Sequence, residues 1–302
     1  MLAALALVAA VSGCGKETAA TTSSGWPEKI IFAAVPAGEA NSFQSHYGLF
    51  VRALSEEVGI KVETFQAADY AGVIEALISG TVDMAQLGAF SYALAVQNGA
   101  KIEPAGLLQH QKGDPPGYTI LGIAPASANA TGGIDYFRGK TVCFPDPAST
   151  STLLPLFEFE KAGLKLDRDY KRLTVPAGNT IPRTVVKGDC QVGLVADAQL
   201  DNAVRTGDVT RDQLTSFWKM QAPHSPVVMR SKLPQDLRDK IRTATLKINA
   251  EYLAAKGWCT GDACLISSNR DYGYLPVEHS YYQVIWDACK AAKVEACGPI
   301  GK

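Results

Sequence analysis

No block of lysine or arginine interrupts this sequence. Its 302 residues carry 29 lysines and arginines against 30 aspartates and glutamates, a formal charge of −1. The basic stripe or patch of a nucleic-acid binder is therefore missing, and DNA and RNA are excluded as partners. No apolar run reaches the ~18–20 residues that span a bilayer. The four histidines, at 46, 110, 224 and 279, are scattered, and no C-x-x-C occurs. With no H-E-x-x-H and no aspartate-rich stretch, neither a metal nor a cofactor is expected; a zinc site is the rival use of the cysteines. A secreted hydrolase with Ser149 or Ser151 as nucleophile would need an adjacent base and an exposed elbow such as G-x-S-x-G. Neither is present, so the chain is not read as an enzyme.

Apolar residues make up 47% of the chain and charged ones 20%, enough for a core and close to the globular average. The length fits two domains better than one. The run 2-LAALALVAAV-11 has the length of a secretory h-region and ends in 11-VSGC-14, the pattern of an export signal rather than of a membrane span. It resembles the tail of a bacterial lipoprotein signal, in which residues 1–14 end at a cysteine, here Cys14, that is lipidated after cleavage. No basic n-region precedes the run, which places the true start upstream or makes Met1 a wrong initiator. Residues 15–25, GKETAATTSSG, read as a flexible tether. An exported chain keeps disulfides. Cys143, Cys190, Cys259, Cys264, Cys289 and Cys297 allow fifteen connectivities. Cys259 and Cys264 enclose a short glycine-containing loop, and Cys289 and Cys297 flank the end of the last helix. Local pairing of each, with Cys143 bridged to Cys190, is the expected set.

Strand-length apolar runs at 29–35, 61–67, 82–87, 118–124, 140–144, 170–175 and 190–196 alternate with helical spacing over 43–59, 70–80, 90–99, 151–163 and 178–188. Strand, helix, strand in this order implies right-handed βαβ units and mainly parallel sheets covered on both faces. Segments rich in proline and small residues, 125–133 and 223–234, read as crossings between two lobes, and 233–255 and 277–294 as helices. The expected α/β architecture has lobe one at 26–124 plus 231–302 and lobe two at 125–230, with a hinge and a cleft between them. Ligands of such sheets sit beyond the carboxyl ends of the strands.

One such loop is 146-DPASTSTLLP-155, which follows the strand at 140–144 and leads into a helix. A helix N-terminus leaves backbone N–H groups without acceptors and carries about half a positive charge, so it holds a small anion without a basic side chain. Ser149, Thr150 and Ser151 add hydroxyl donors. Pro155 costs little if it lies in the helix's first turn.

The segments 66-QAADYAGVIEALISGTVDMAQLG-88, 115-PPGYTIL-121, 139-GKTVCFPDPASTST-152, 163-GL-164 and 176-PAGN-179, in that order and spacing, resemble the phosphonate-binding (PhnD/PtxB-like) family of ABC-transporter receptors. The resemblance covers roughly residues 60–230. It implies a two-lobed type II periplasmic-binding-protein fold that closes on a phosphonate, phosphite or phosphate-like oxyanion and delivers it to a membrane permease. In Gram-positive and mycobacterial-type envelopes such receptors are lipoproteins, in keeping with Cys14 and an extracytoplasmic, membrane-anchored, monomeric protein. Residue by residue, it implies that Ser149, Thr150 and Ser151 donate to the phosphono oxygens while Tyr70 and Tyr118 reach across from lobe one. A phenol suits this role because its neutral O–H donates and its ring excludes water.

Three departures bear on the ligand. Asn179 stands where the family carries a histidine in N-A-G-H-E. Ala198, beside Asp197, stands where aminoalkylphosphonate binders keep a glutamate, and 223-PHSP-226, with Ser225, stands for P-G-D-P. A buried ammonium without a counter-charge is costly, so 2-aminoethylphosphonate is disfavoured unless Asp197 or Glu39 compensates. Phosphate, phosphite and methylphosphonate are favoured. His224, in the hinge segment, and Arg183, on the 178–188 helix, are further candidates to contact the anion. A pocket rebuilt for a polyol or an amino acid, and a tethered ligand sensor, remain open alternatives.

Overall fold

The computed structural model describes residues 25–36, 43–175, 177–291 and 297–298; Cys14, residues 15–24 of the tether and Glu39 lie outside them. The chain begins β1 (Lys29–Ala34), α1 (Phe43–Val58), β2 (Lys61–Phe65), α2 (Tyr70–Ser79), β3 (Met84–Gln86), α3 (Ala89–Gln97) and β4 (Ile102–Gln109). It continues with β5 (Tyr118–Pro125), β6 (Thr141–Phe144), α4 (Thr150–Lys161), β7 (Lys171–Thr174), α5 (Ile181–Lys187), β8 (Val192–Ala196), α6 (Asp197–Arg205) and β9 (Leu214–Ala222). It returns through β10 (Pro226–Arg230), α7 (Gln235–Lys247), α8 (Ala250–Ala255), β11 (Gly273–Leu275) and α9 (Gln283–Ala291).

These strands form two sheets, ordered β11-β4-β10-β3-β1-β2 and β7-β6-β8-β5-β9. The βαβ units are parallel as expected: β1 pairs with β2 and β3, and β6 with β7 and β8. The remaining pairings, β10 with β3 and β4, β11 with β4, and β5 with β8 and β9, are antiparallel, so each sheet is mixed rather than mainly parallel. Periodicity misses β4 and β10 for a local reason. Pro104 and Gly106 break the apolar pattern of β4, and the strand tolerates both because its register against β10 shifts between Val227 and Val228; proline and glycine in a strand belong at such irregularities.

The same pairings correct the expected division of the chain. β5, assigned to lobe one by the boundary at 124, belongs to the second sheet; β10, assigned to lobe two, belongs to the first. The chain therefore crosses between sheets at 110–117 and 223–225, and the stretch 125–133 is a surface segment of short 3₁₀ turns instead of a crossing.

Apolar burial follows this layering. One face of the first sheet packs on α1 and α7 around Phe32, Phe50, Leu54 and Ile241. The other, under α2 and α3, is continuous with the core beneath α4 through Phe90, Leu153, Phe159 and Phe144. α5 packs on the far side of the second sheet around Ile123, Ile181, Val185 and Leu200 of α6. Every residue of β8 is buried, which is why its sequence is a continuous apolar run and not an alternation. α9 lies against both α3 and α4 and so spans the junction. Disulfides join Cys143 to Cys190, Cys259 to Cys264 and Cys289 to Cys297, the pairs expected from their spacing. Among the described residues no helix is long and apolar enough to cross a membrane.

Candidate functional site

The stretch 146–155 turns β6 into α4. Ser149 is the N-cap, its Oγ accepting from Ser151 N–H at 3.2 Å. Thr152 Oγ1 turns back and donates to the carbonyls of Pro145 and Asp146. One hydroxyl of the four therefore caps, one ties the loop, and Thr150 and Ser151 are left at the helix end, 3% and 4% exposed. Pro155 is the sixth residue of α4, not in its first turn. It removes the N–H that would have bonded the Ser151 carbonyl, a defect that costs up to ~3 kcal/mol in an ordinary helix.

Three further helices begin at the same cavity. Tyr70 opens α2, whose N-cap Asp69 accepts from Gly72 N–H at 2.8 Å. Gly88 caps α3, its N–H donating to Ser91 Oγ at 2.8 Å. Ala196 to Gln199 open α6. The loops after β1, β2, β3, β6 and β8 thus converge at the carboxyl ends of parallel strands, where the sheet geometry predicts a ligand. The two crossings complete the wall with His110, Asp114, Gly117, His224 and Ser225. The cavity has a volume of about 130 Å³. At about 10–15 Å³ per water, that is more than a bare tetrahedral oxyanion needs.

The two lobes touch across this space. Phe90 N–H, in the first turn of α3, donates to Thr150 Oγ1 at 3.0 Å. Tyr70 hydrogen-bonds Ser149, and its backbone N–H donates to the Asp146 carboxylate. Tyr118 is on β5 and so comes from the same lobe as α4, a correction to its expected place across the cleft. Its Oη shares a 3.2 Å hydrogen bond with Ser151 Oγ. Burial pushes the Tyr118 phenol up to about 12 and the Tyr70 phenol higher still, so both stay neutral donors. Burial also raises Asp146.

His224 lines the cavity, yet both of its nitrogens are directed elsewhere. Ser225 N–H donates to Nδ1 at 2.9 Å, which leaves the proton on Nε2, 3.7 Å from Asp271 Oδ1. Burial lowers its pKa, so it is a neutral wall rather than a cationic contact. Asp197 and Ser225 also line the space; Asn179 does not. Its Oδ1 is buried without a partner, and Gln199, whose amide packs against Gly178, lines the cavity instead. Arg183 faces Asp208 at 3.9 Å on the surface.

Sequence reading missed Gln86, Tyr47, His110, Asp114 and the turn 267–269. Gln86 is fixed by donating to the Pro226 carbonyl and accepting from Tyr274 Oη. The turn is held by Ser267 N–H donating to the His46 carbonyl and by the fully buried Asp271, which takes the Ser267 hydroxyl and His110 Nδ1. Ser267 and Arg270 sit at φ 68° and 62°, left-handed conformations that sequence signals only when glycine or asparagine occupies them. The aspartate of 114-DPPG-117 gave no signal either, since Asp114 reads there as an ordinary turn residue.

A Cβ at Gly88 would lie 3.4 Å from both Ser91 Oγ and Thr150 Oγ1, with φ at −75°. Gly88→Ala therefore fits, whereas the branched methyls of Gly88→Val overfill the seam. At ~1–3 kcal/mol for overpacking, the valine variant is expected to lose about five- to 150-fold in ligand affinity while the alanine variant binds nearly as wild type, measured by calorimetric titration.

Comparison with known proteins follows the same lines. The sequence profile of the family described as "ABC transporter, phosphonate, periplasmic substrate-binding protein" matches residues 32–282. The chain is 34% identical over 306 aligned positions to the phosphate-import protein PhnD of Mycolicibacterium smegmatis, covering 98% of this chain and 95% of that one. Its fold is similar to that of a binding-protein component of an ABC phosphonate transporter from Pseudomonas aeruginosa (TM-score 0.73, 22% identity, 86% and 85% of the two chains). It is equally similar to PhnD1 of Prochlorococcus marinus in complex with methylphosphonate (TM-score 0.73, 14% identity, 87% and 97%).

Proposed function

Since the chain belongs to the family of periplasmic phosphonate-binding proteins of ABC transporters, we propose that it captures a small phosphorus oxyanion, phosphate, phosphite or a short phosphonate, by closing two lobes over the N-terminus of α4. The observation that carries this reading is the meeting of α4 with the starts of α2 and α3 across the cleft, with no lysine or arginine among the described residues that line the cavity. Backbone N–H groups and the hydroxyls of Ser149, Thr150, Ser151, Tyr70 and Tyr118 supply the donors. Such neutral donors gain strength in a dry site and hold an anion at helix N-termini.

Closure is the mechanism. The anion docks on α4, and Tyr70 and the first turn of α3 then complete its shell, so binding selects the closed arrangement. A membrane permease that recognises the closed form, a lipid anchor at Cys14 and a monomeric state belong to the same reading. The hydroxyls of Ser149 and Ser151 are engaged with a backbone N–H and with the Tyr118 phenol, which suits donors held in place for an anion.

The test is calorimetric titration of the ligand-stripped protein with phosphate, phosphite, methylphosphonate, 2-aminoethylphosphonate, myo-inositol and sulfate. Tight binding of a phosphorus oxyanion is expected. Silence towards all of them, or a preference for myo-inositol, would mean that the fold holds a different ligand.

A further inference from the structure

The anion cavity contains carboxylates. Asp197 and Asp114 line it, with His110 and His224 as the basic side chains of its described wall. Asp197 is the first residue of α6. Its Oδ2 accepts from Thr119 N–H at 3.0 Å and its Oδ1 from Ala198 N–H at 2.9 Å. Thr119 follows Tyr118, whose hydroxyl is bonded to Ser151. Behind burial and the hydrogen bonds of Ser151 and Thr150, the charge of Asp197 also acts on the Tyr118 phenol. The carboxylate and the hydroxyls of α4 therefore line the same space, with Tyr118 between them.

A carboxylate has only lone pairs to offer. An oxyanion without a proton also presents only lone pairs, so the two oppose each other with both their charges and their acceptors, in a site where water screens little. A tetrahedral oxyanion that keeps one proton removes the conflict. Its hydroxyl donates to the carboxylate while its remaining oxygens accept from α4.

We propose that Asp197 is a specificity-determining residue that reads a proton on the ligand. The bound species is then a hydrogen phosphate, hydrogen phosphite or phosphonate monoanion, whose P–OH donates to Asp197, and fully ionised sulfate and alkanesulfonates are rejected. This rests on the phosphorus-oxyanion reading above and narrows it to species that keep a P–OH.

The charge of Asp197 acts on Tyr118 of β5, on His110 of the first crossing and on His224 of the second, and the carboxylates of Asp114 and Asp271 act on the same two histidines. Of these, His110 also gives a pH dependence. Its hydrogen bond to Asp271 raises it, so it loses positive charge as pH rises, in the same direction as the loss of the ligand's proton. His224 stays neutral, with Nδ1 accepting from Ser225 N–H. The two causes separate by mutation.

The experiment titrates phosphite, methylphosphonate, phosphate, 2-aminoethylphosphonate and sulfate over a pH range that spans the second ionisation of phosphite and methylphosphonate into the wild type, Asp197→Asn and His110→Gln. Ligand-induced thermal shifts are read in parallel to show that each variant is folded. Asparagine keeps an oxygen for Thr119 N–H, so the α6 terminus is retained. Expected are a wild-type affinity for phosphite and methylphosphonate that falls up to about tenfold per pH unit above the ligand's second ionisation, a phosphate affinity without that fall because the phosphate dianion keeps a P–OH, and no sulfate binding. Asp197→Asn should flatten that slope and bind sulfate within about tenfold of phosphate, while His110→Gln keeps the slope. The proposal is overturned if Asp197→Asn keeps both the slope and the rejection of sulfate, or if His110→Gln alone removes the slope. A preference for 2-aminoethylphosphonate that disappears in Asp197→Asn also overturns it, because the carboxylate would then be meeting an ammonium. If the wild type binds no phosphorus oxyanion at any pH, the functional reading falls and takes this inference with it; the other outcomes leave that reading standing.

Discussion

Removing the hydroxyls of Thr150 and Ser151 together, by Thr150→Ala with Ser151→Ala, is expected to weaken oxyanion binding by about 2–4 kcal/mol, roughly thirtyfold to a thousandfold. Two hydrogen bonds to a charged group, each worth ~1.5–3 kcal/mol and not fully additive, set this range. The structure adds a second contribution. Thr150 Oγ1 accepts the N–H of Phe90 from the other lobe, so its loss weakens the closed arrangement as well as the anion's shell. Stability should change by only about 1 kcal/mol, because alanine is the best helix former and the N-cap, Ser149, is untouched. Titration calorimetry beside thermal unfolding separates the two. A double variant that bound as the wild type does would place the anion elsewhere in the cavity.

That α4 could be located from sequence follows from the locality of its chemistry. A strand, a turn and a row of small hydroxylated residues before an apolar run define a helix terminus within ten residues, and capping needs nothing from the rest of the chain. The lobe to which Tyr118 belongs was not legible, because it depends on which strands pair with β5. Its partner β9 alternates half-exposed side chains at a sheet edge, and the return strand β10 begins with a proline inside what reads as a hinge. The turn 266–271 was hidden more deeply. Its shape depends on Asp271, Tyr47 and the His46 carbonyl, residues brought to it by the fold over a separation that no local pattern spans. Asp197 lies between these cases. It was visible as a candidate beside Ala198, but its closeness to Tyr118 and Thr119 follows from the antiparallel pairing of β5 with β8.

The largest stability effect is expected from the bridge between Cys143 and Cys190. Cys143 lies on β6 and Cys190 just ahead of β8, two neighbouring parallel strands whose carboxyl ends lead to the α4 hydroxyls and to Asp197. The cysteines are separated by 47 positions, a span that includes α4, β7 and α5. By the chain-entropy relation a loop of that size contributes about 4 kcal/mol, against about 2 for the five-residue separation of Cys259 and Cys264. Urea unfolding should therefore show Cys143→Ala with Cys190→Ala losing about twice the free energy of Cys259→Ala with Cys264→Ala. Equal losses would point to native-state packing as the source. Ligand affinity of the folded variant should stay close to wild type, because β6 and β8 still pair through backbone hydrogen bonds and hold the two loops in register. Ligand at about a hundred times its dissociation constant should then restore about 2.7 kcal/mol by mass action. A variant that folds but no longer binds would instead show that the bridge positions the anion site as well as stabilising the lobe that carries it.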